Sequence, residues 1–96
     1  MYKDLDPLLH SQLRLAIVSL LMTSDEVDFN QIKDTTNATS GNISVQIRKL
    51  QDAGYIEVVK SFKNNYQNTS LTMTNKGIKA FEDYVESLKQ YIKINK

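Results

Sequence analysis

The 96-residue chain carries 12 Lys and Arg against 11 Asp and Glu, a net charge of +1, and 41% of its residues are hydrophobic. That length and balance describe one small soluble domain with a modest core, leave room for added stability from an oligomer, and exclude a grossly polybasic protein. The absence of cysteine excludes disulfides, thiolate metal sites and a cysteine nucleophile.

The first helix is expected from Asp6-Pro7, since an acidic residue followed by proline is a normal helix start. Leu9, Leu13, Ala16, Ile17, Leu20 and Leu21 then recur at helical spacing as far as Thr23-Ser24. Asp28 opens a second, short helix, with Gln31 in capping-box position, an apolar face of Phe29 and Ile32, and Asn37 at its end. Thr39 caps a third helix, in which Ile43, Ile47 and Leu50 form one stripe and Gly54 is the terminator. There the period changes. Tyr55–Phe62 is β-branched and aromatic, Thr69–Thr74 partly so, and the polar run Lys63–Asn68 between them predicts a β-hairpin with a longish loop. Thr74 caps a last helix, whose Ile78, Phe81, Val85, Leu88 and Ile92 form the narrow a/d seam of a coiled coil.

The fold class is therefore mainly α with a small β-hairpin, a winged helix-turn-helix with an added C-terminal helix. Residues 1–96 are expected to form a single domain, with 1–77 as a core of the kind that binds DNA and 78–96 as a dimerisation helix, for the reasons that follow. A helix of this kind fits the width of the B-DNA major groove, and the hairpin after it reaches the flanking backbone or minor groove.

Several segments stand in a familiar order along nearly the whole chain. They are Leu5-Asp6-Pro7-Leu8-Leu9-His10, Arg14-Leu15-Ala16-Ile17, Asp28-Phe29, Thr39-Ser40-Gly41-Asn42-Ile43-Ser44, Arg48-Lys49-Leu50-Gln51-Asp52-Ala53-Gly54-Tyr55-Ile56 and Leu71-Thr72-Met73-Thr74-Asn75-Lys76-Gly77. In these the sequence resembles the compact MarR-like and ArsR-like winged-helix regulators, particularly the small stand-alone winged-helix DNA-binding domains. The resemblance implies a transcriptional repressor that binds double-stranded DNA.

With Ile43, Ile47 and Leu50 in the core, Gly41, Val45, Arg48 and Asp52 fall on the opposite face of helix 39–53 at about 100° per residue. Ser44 flanks that face on one side, Asn42 and Lys49 on the other. Thr39, Ser40, Gly41 and Asn42 occupy the start of the helix, where free N–H groups and the helix dipole favour a phosphate. Arg48 suits guanine, Asn42 or Ser44 suits a base edge, and Val45 suits a thymine methyl. Asp52 would repel phosphate, which sets the C-terminal end of this helix off the DNA. As plain surface charges, Arg48 and Lys49 would simply be solvated.

Charge is unevenly spread. Residues 39–76 hold five basic and two acidic groups, a net of +3, whereas residues 1–38 have a net of −3. The resemblance implies arginines at the tip of the wing, 62–69. This chain has Asn64, Asn65, Tyr66 and Gln67 there, with only Lys63 nearby.

The apolar seam of the last helix runs further than three short helices can cover, so a homodimer is expected through Ile78, Phe81, Val85, Leu88 and Ile92. Tyr84 and Tyr91 stand beside the seam, and Leu9 would join from the first helix. Leu9, Phe81, Tyr84 and Tyr91 would also line a pocket if a small-molecule effector exists.

No cofactor, metal or catalytic group is expected. His10 is the only histidine and has no acid–serine companion. Asp25, Glu26 and Asp28 lack the glycine and spaced oxygens of a calcium loop. The N-terminal Met1–Asp6 is acidic and has no apolar signal core, which points to the cytoplasm and away from membranes. The rival reading is a winged-helix module that binds proteins rather than DNA.

Overall fold

The structure is a computed structural model and describes residues 2–92. The helices are α1 (Gln12–Thr23), α2 (Phe29–Thr36), α3 (Ser40–Asp52) and α4 (Asn75–Tyr91). The strands are β1 (Val27–Asp28), β2 (Ile56–Lys63) and β3 (Tyr66–Met73), hydrogen-bonded in the order β1-β3-β2, all antiparallel. This is the winged helix expected from the sequence, with a third strand added.

The chain's polar caps set most of the helix boundaries. Asp28 and Gln31 form a reciprocal capping box at the start of α2, and Asn37 ends it in the left-handed conformation at φ 58°. Thr39 and Thr74 accept the N–H groups of Asn42 and Gly77 at the starts of α3 and α4. Gly54 follows α3 at φ +80°.

Two boundaries differ from the sequence reading. Residues 6–10 do not begin α1. The Asp6 carboxylate accepts the Leu8 N–H, and its carbonyl accepts those of Leu9 and His10, closing a separate turn. Ser11 is then extended, so α1 starts at Gln12. The hairpin loop is also not long. Asn64 and Asn65 adopt φ of 53° and 67°, and these two residues alone join β2 to β3. Asparagine tolerates this left-handed geometry, which matches the twist of the flanking strands, so the polar residues Tyr66–Asn68 are drawn into the sheet.

The core lies where α1, α2 and α3 meet the sheet. Ile17, Ile32, Ile43, Leu50 and Leu71 are fully buried there. Leu9, on the N-terminal turn, and Tyr84, on α4, close it from the other side. Among the described residues no helix is long and apolar enough to cross a membrane.

Candidate nucleic-acid interface

The packing of α3 decides what it can present. Ile43, Ile47 and Leu50 turn inward and are 7% exposed or less, as their spacing predicts. Thr39, Ser40, Gly41, Asn42, Ser44, Val45, Arg48, Lys49 and Asp52 are all exposed. The structure therefore gathers the expected α3 residues on one open face. Thr39 has its hydroxyl engaged, accepting the Asn42 N–H at 3.2 Å. Around Gly41 nothing stands within 4 Å of where a Cβ would be, so the fold itself does not require glycine at this point.

Between α3 and the hairpin runs a groove of about 250 Å³, lined by Ser44, Ile47, Arg48 and Gln51 on one side and by Phe29, Val58, Lys60 and Thr69 on the other. Two cations, Arg48 and Lys60, thus line one groove although they come from different elements. Lys60 and Phe62 escaped the sequence reading of the site although both lie in the strand it expected, because which face of that strand turns toward α3 is set by tertiary packing. Alternation along β2 puts Val58, Lys60 and Phe62 on the groove side, opposite Leu71, Thr69 and Gln67.

The same alternation moves Tyr66. It pairs with Lys63, outside the run of groove-side pairs, and so belongs to the other face of the hairpin. Phe62, 80% exposed, is the hairpin's aromatic side chain on the groove side. Asn64 and Asn65 form the exposed tip. The Lys63 side chain lies outside the described part of the structure.

Behind the exposed face sits a polar support that the sequence did not reveal. Arg14 of α1 donates to the Leu8 carbonyl at 2.6 Å and to Oε1 of Gln46. Gln46 in turn donates to Oδ1 of Asn42 at 2.9 Å. Arg14 and Gln46 are 32 residues apart, and no local pattern marks such a pair.

The last helix uses two stripes rather than one. Gly77, Tyr84 and Ser87 are its buried residues, with Ala80 beside them, and this stripe of small residues around one tyrosine faces the chain's own body. The apolar seam lies about a quarter-turn away. Phe81 and Leu88 reach the core from its edge, while Ile78 and Val85 are half-buried and Ile92 is 63% exposed.

Two residues expected at a dimer surface or effector pocket are therefore corrected. Leu9 is 0% exposed and Tyr84 4%, with the Tyr84 hydroxyl bonded to His10 Nδ1 at 3.0 Å. Their own chain consumes both, because the small side chains of α4 let the N-terminal turn approach closely. Tyr91 is half-exposed, but its ring stacks on Tyr2 with centroids 4.8 Å apart, and its hydroxyl donates to the Lys3 carbonyl at 2.7 Å.

A short helix pair, an open polar helix face and a hairpin flanking it define a winged-helix DNA-binding domain. The chain belongs to the family of that description, whose model matches residues 13–92. Over 84 residues it is 33% identical to an uncharacterised protein of Methanocaldococcus jannaschii, covering 88% of this chain and 91% of that one. A transcriptional regulator homologue of Pyrococcus horikoshii shares the fold at a TM-score of 0.82 and 27% identity, over 88% of this chain and 84% of that one. A MarR variant of E. coli, solved in complex with operator DNA, matches at a TM-score of 0.72 over 90% of this chain and 61% of its own. At 14% identity that last likeness is one of fold. The resemblance to MarR-like regulators holds for the fold, and the chain is a small winged-helix DNA-binding domain.

Proposed function

We propose that the protein is a sequence-specific transcriptional repressor that acts in the cytoplasm as a homodimer on double-stranded DNA. In this reading α3 enters the major groove, Arg48 contacts guanine, and the first turn of α3 sits against a phosphate. The hairpin is the wing, and Lys60 meets the flanking backbone. The observation that carries the reading is the single groove lined by both Arg48 and Lys60, beside an α3 face from which every large apolar side chain except Val45 is withdrawn.

The dimer is supported by the apolar seam of α4, which the chain's own body covers only along one edge. Two copies joined there would present two α3 helices to half-sites about one helical turn apart. Residues 78–96, of which 93–96 lie outside the described residues, would then serve assembly and residues 1–77 DNA binding.

Titration into a fluorescent random-sequence duplex at several salt concentrations tests the proposal. Saturable binding that falls with salt and weakens in Arg48→Ala supports it. Absence of binding at low salt would favour the second reading, a protein-interaction module. Phe62 and Tyr66, 80% and 77% exposed on a wing with few charges, are the observation that favours that alternative.

A further inference from the structure

The hydrogen bonds behind the exposed face of α3 have a fixed direction. A guanidinium only donates, so Arg14 can bond Gln46 only through the amide oxygen. Gln46 must then turn its NH₂ group away from Arg14, and that group meets Asn42 one helical turn earlier, donating to Oδ1 at 2.9 Å. Asn42 has one amide oxygen and one NH₂ group. With the oxygen held toward Gln46 through one of its two lone pairs, the NH₂ group is the free hydrogen-bonding group this exposed side chain offers outward. Arg14 is itself anchored, its Nε donating to the Leu8 carbonyl at 2.6 Å, so the chain of bonds begins in the turn packed under α1.

We propose that Arg14 and Gln46 are positioning residues that set the polarity of Asn42 and thereby the base it reads. The inference rests on the DNA-binding function proposed above and deepens it. Adenine recognition by asparagine needs both amide atoms on the outer edge, as donor to N7 and acceptor from N6. The bond to Gln46 takes one of the two lone pairs of Oδ1 and holds that oxygen toward the helix, so it competes with any N6 group for the acceptor. Asn42 is thus a donor, suited to the acceptors O6 and N7 of guanine or O4 of thymine and ill suited to the amino groups of cytosine and adenine. Arg14 does this without touching DNA.

Gln46→Glu inverts the arrangement. A carboxylate only accepts, so one oxygen takes the Arg14 guanidinium and the other takes the Asn42 NH₂ group, leaving Oδ1 to face outward. Selection from a randomised duplex library is carried out with the full chain, its Gln46→Glu variant and its Arg14→Met variant, with melting curves to confirm folding. The wild type is expected to prefer guanine or thymine at one position of each half-site by about fivefold or more. Gln46→Glu should move that position toward cytosine or adenine. Arg14→Met should flatten it, and the position read by Arg48 should keep its base in both variants. A loss spread evenly over all positions, or an unchanged preference, overturns the inference.

A second measurement needs neither DNA nor a variant. In side-chain amide hydrogen exchange by NMR, the Gln46 NH₂ should be protected in the wild type and that of Asn42 should exchange freely. The reverse order overturns the proposed polarity. If the wild type selects no sequence at all, the DNA-binding function fails, while the exchange measurement still decides the polarity of Asn42.

Discussion

The carbonyl oxygen of Tyr55 occupies the space that a side chain on Gly77 would need. A Cβ at position 77 would lie 2.1 Å from that oxygen. The same carbonyl accepts the Thr74 N–H at 3.0 Å, while the Thr74 hydroxyl donates to the Gly54 carbonyl and accepts the Gly77 N–H. At its other end Tyr55 donates its phenol to Asp6. The junction of α3, β2, α4 and the N-terminal turn is therefore built around one residue, and it fixes the angle at which α4 leaves the winged core.

Gly77→Ala should destabilise the fold by about 1–3 kcal/mol, the usual cost of forcing extra volume into a packed site. The obstacle is backbone held by a hydrogen bond, not the free end of a side chain. Thermal melting should show a fall in Tm of roughly 5 °C or more for a domain of this size. A wild-type Tm would mean that the Tyr55 carbonyl can give way.

Gly41→Ala should do the opposite to stability. Space is open at this position, and glycine within a helix costs roughly 0.5–1 kcal/mol relative to alanine. The variant should melt at or above the wild-type temperature. Its DNA affinity should fall, because the new methyl group stands where a phosphate approaches the first turn of α3. Unchanged affinity in the duplex titration would place the phosphate elsewhere.

Stability should fall in alkali through Tyr55. Burial, then the hydrogen bond to Asp6 and the charge of Asp6, push its phenol from 10.0 up to about 12. The folded state therefore keeps this proton over a range in which the unfolded chain has lost it. The resulting stabilisation is fully present below pH 10 and is lost as the pH rises to about 12. In urea denaturation Tyr55→Phe should be less stable than wild type at neutral pH, by about 1 kcal/mol for the lost hydrogen bond. The two midpoints should converge above pH 10, and parallel curves would contradict the assignment.

Much of this architecture was legible because short-range signals carry it. Asp28 with Gln31, Thr39, Asn37 and Thr74 each mark a helix end by the bond their own side chain or backbone makes a few residues away. The inward stripe of Ile43, Ile47 and Leu50 followed from period alone. The Arg14–Gln46–Asn42 relay was invisible because it joins two helices across a packing contact. On α4 the hydrophobic period marked the apolar seam but missed the buried stripe, since Gly77, Ala80 and Ser87 give no hydrophobic signal. At the wing, reading Tyr66–Asn68 as loop rather than strand hid the pairing of Lys60 with Thr69 and of Phe62 with Gln67, which the two-residue turn brings into register.

The apolar seam makes the last prediction. Val85 and Ile92 lie on it, are half-buried and 63% exposed respectively, and lie outside the packed core. Replacing both with glutamate should leave the winged core folded while placing two charges in any symmetric contact along α4. In analytical sedimentation at tens of micromolar protein, the wild type should be a dimer and the Val85→Glu, Ile92→Glu variant a monomer. The salt dependence of DNA binding supplies an independent count. Neutralising about four to six phosphates per dimer gives a slope of roughly −4 to −5 in log affinity against log salt. A monomer reaching a single half-site should show about half that slope and weaker binding. A wild type that sediments as a monomer would remove the seam from the interface. A dimeric variant would place the interface on another surface, such as the half-exposed face of α1.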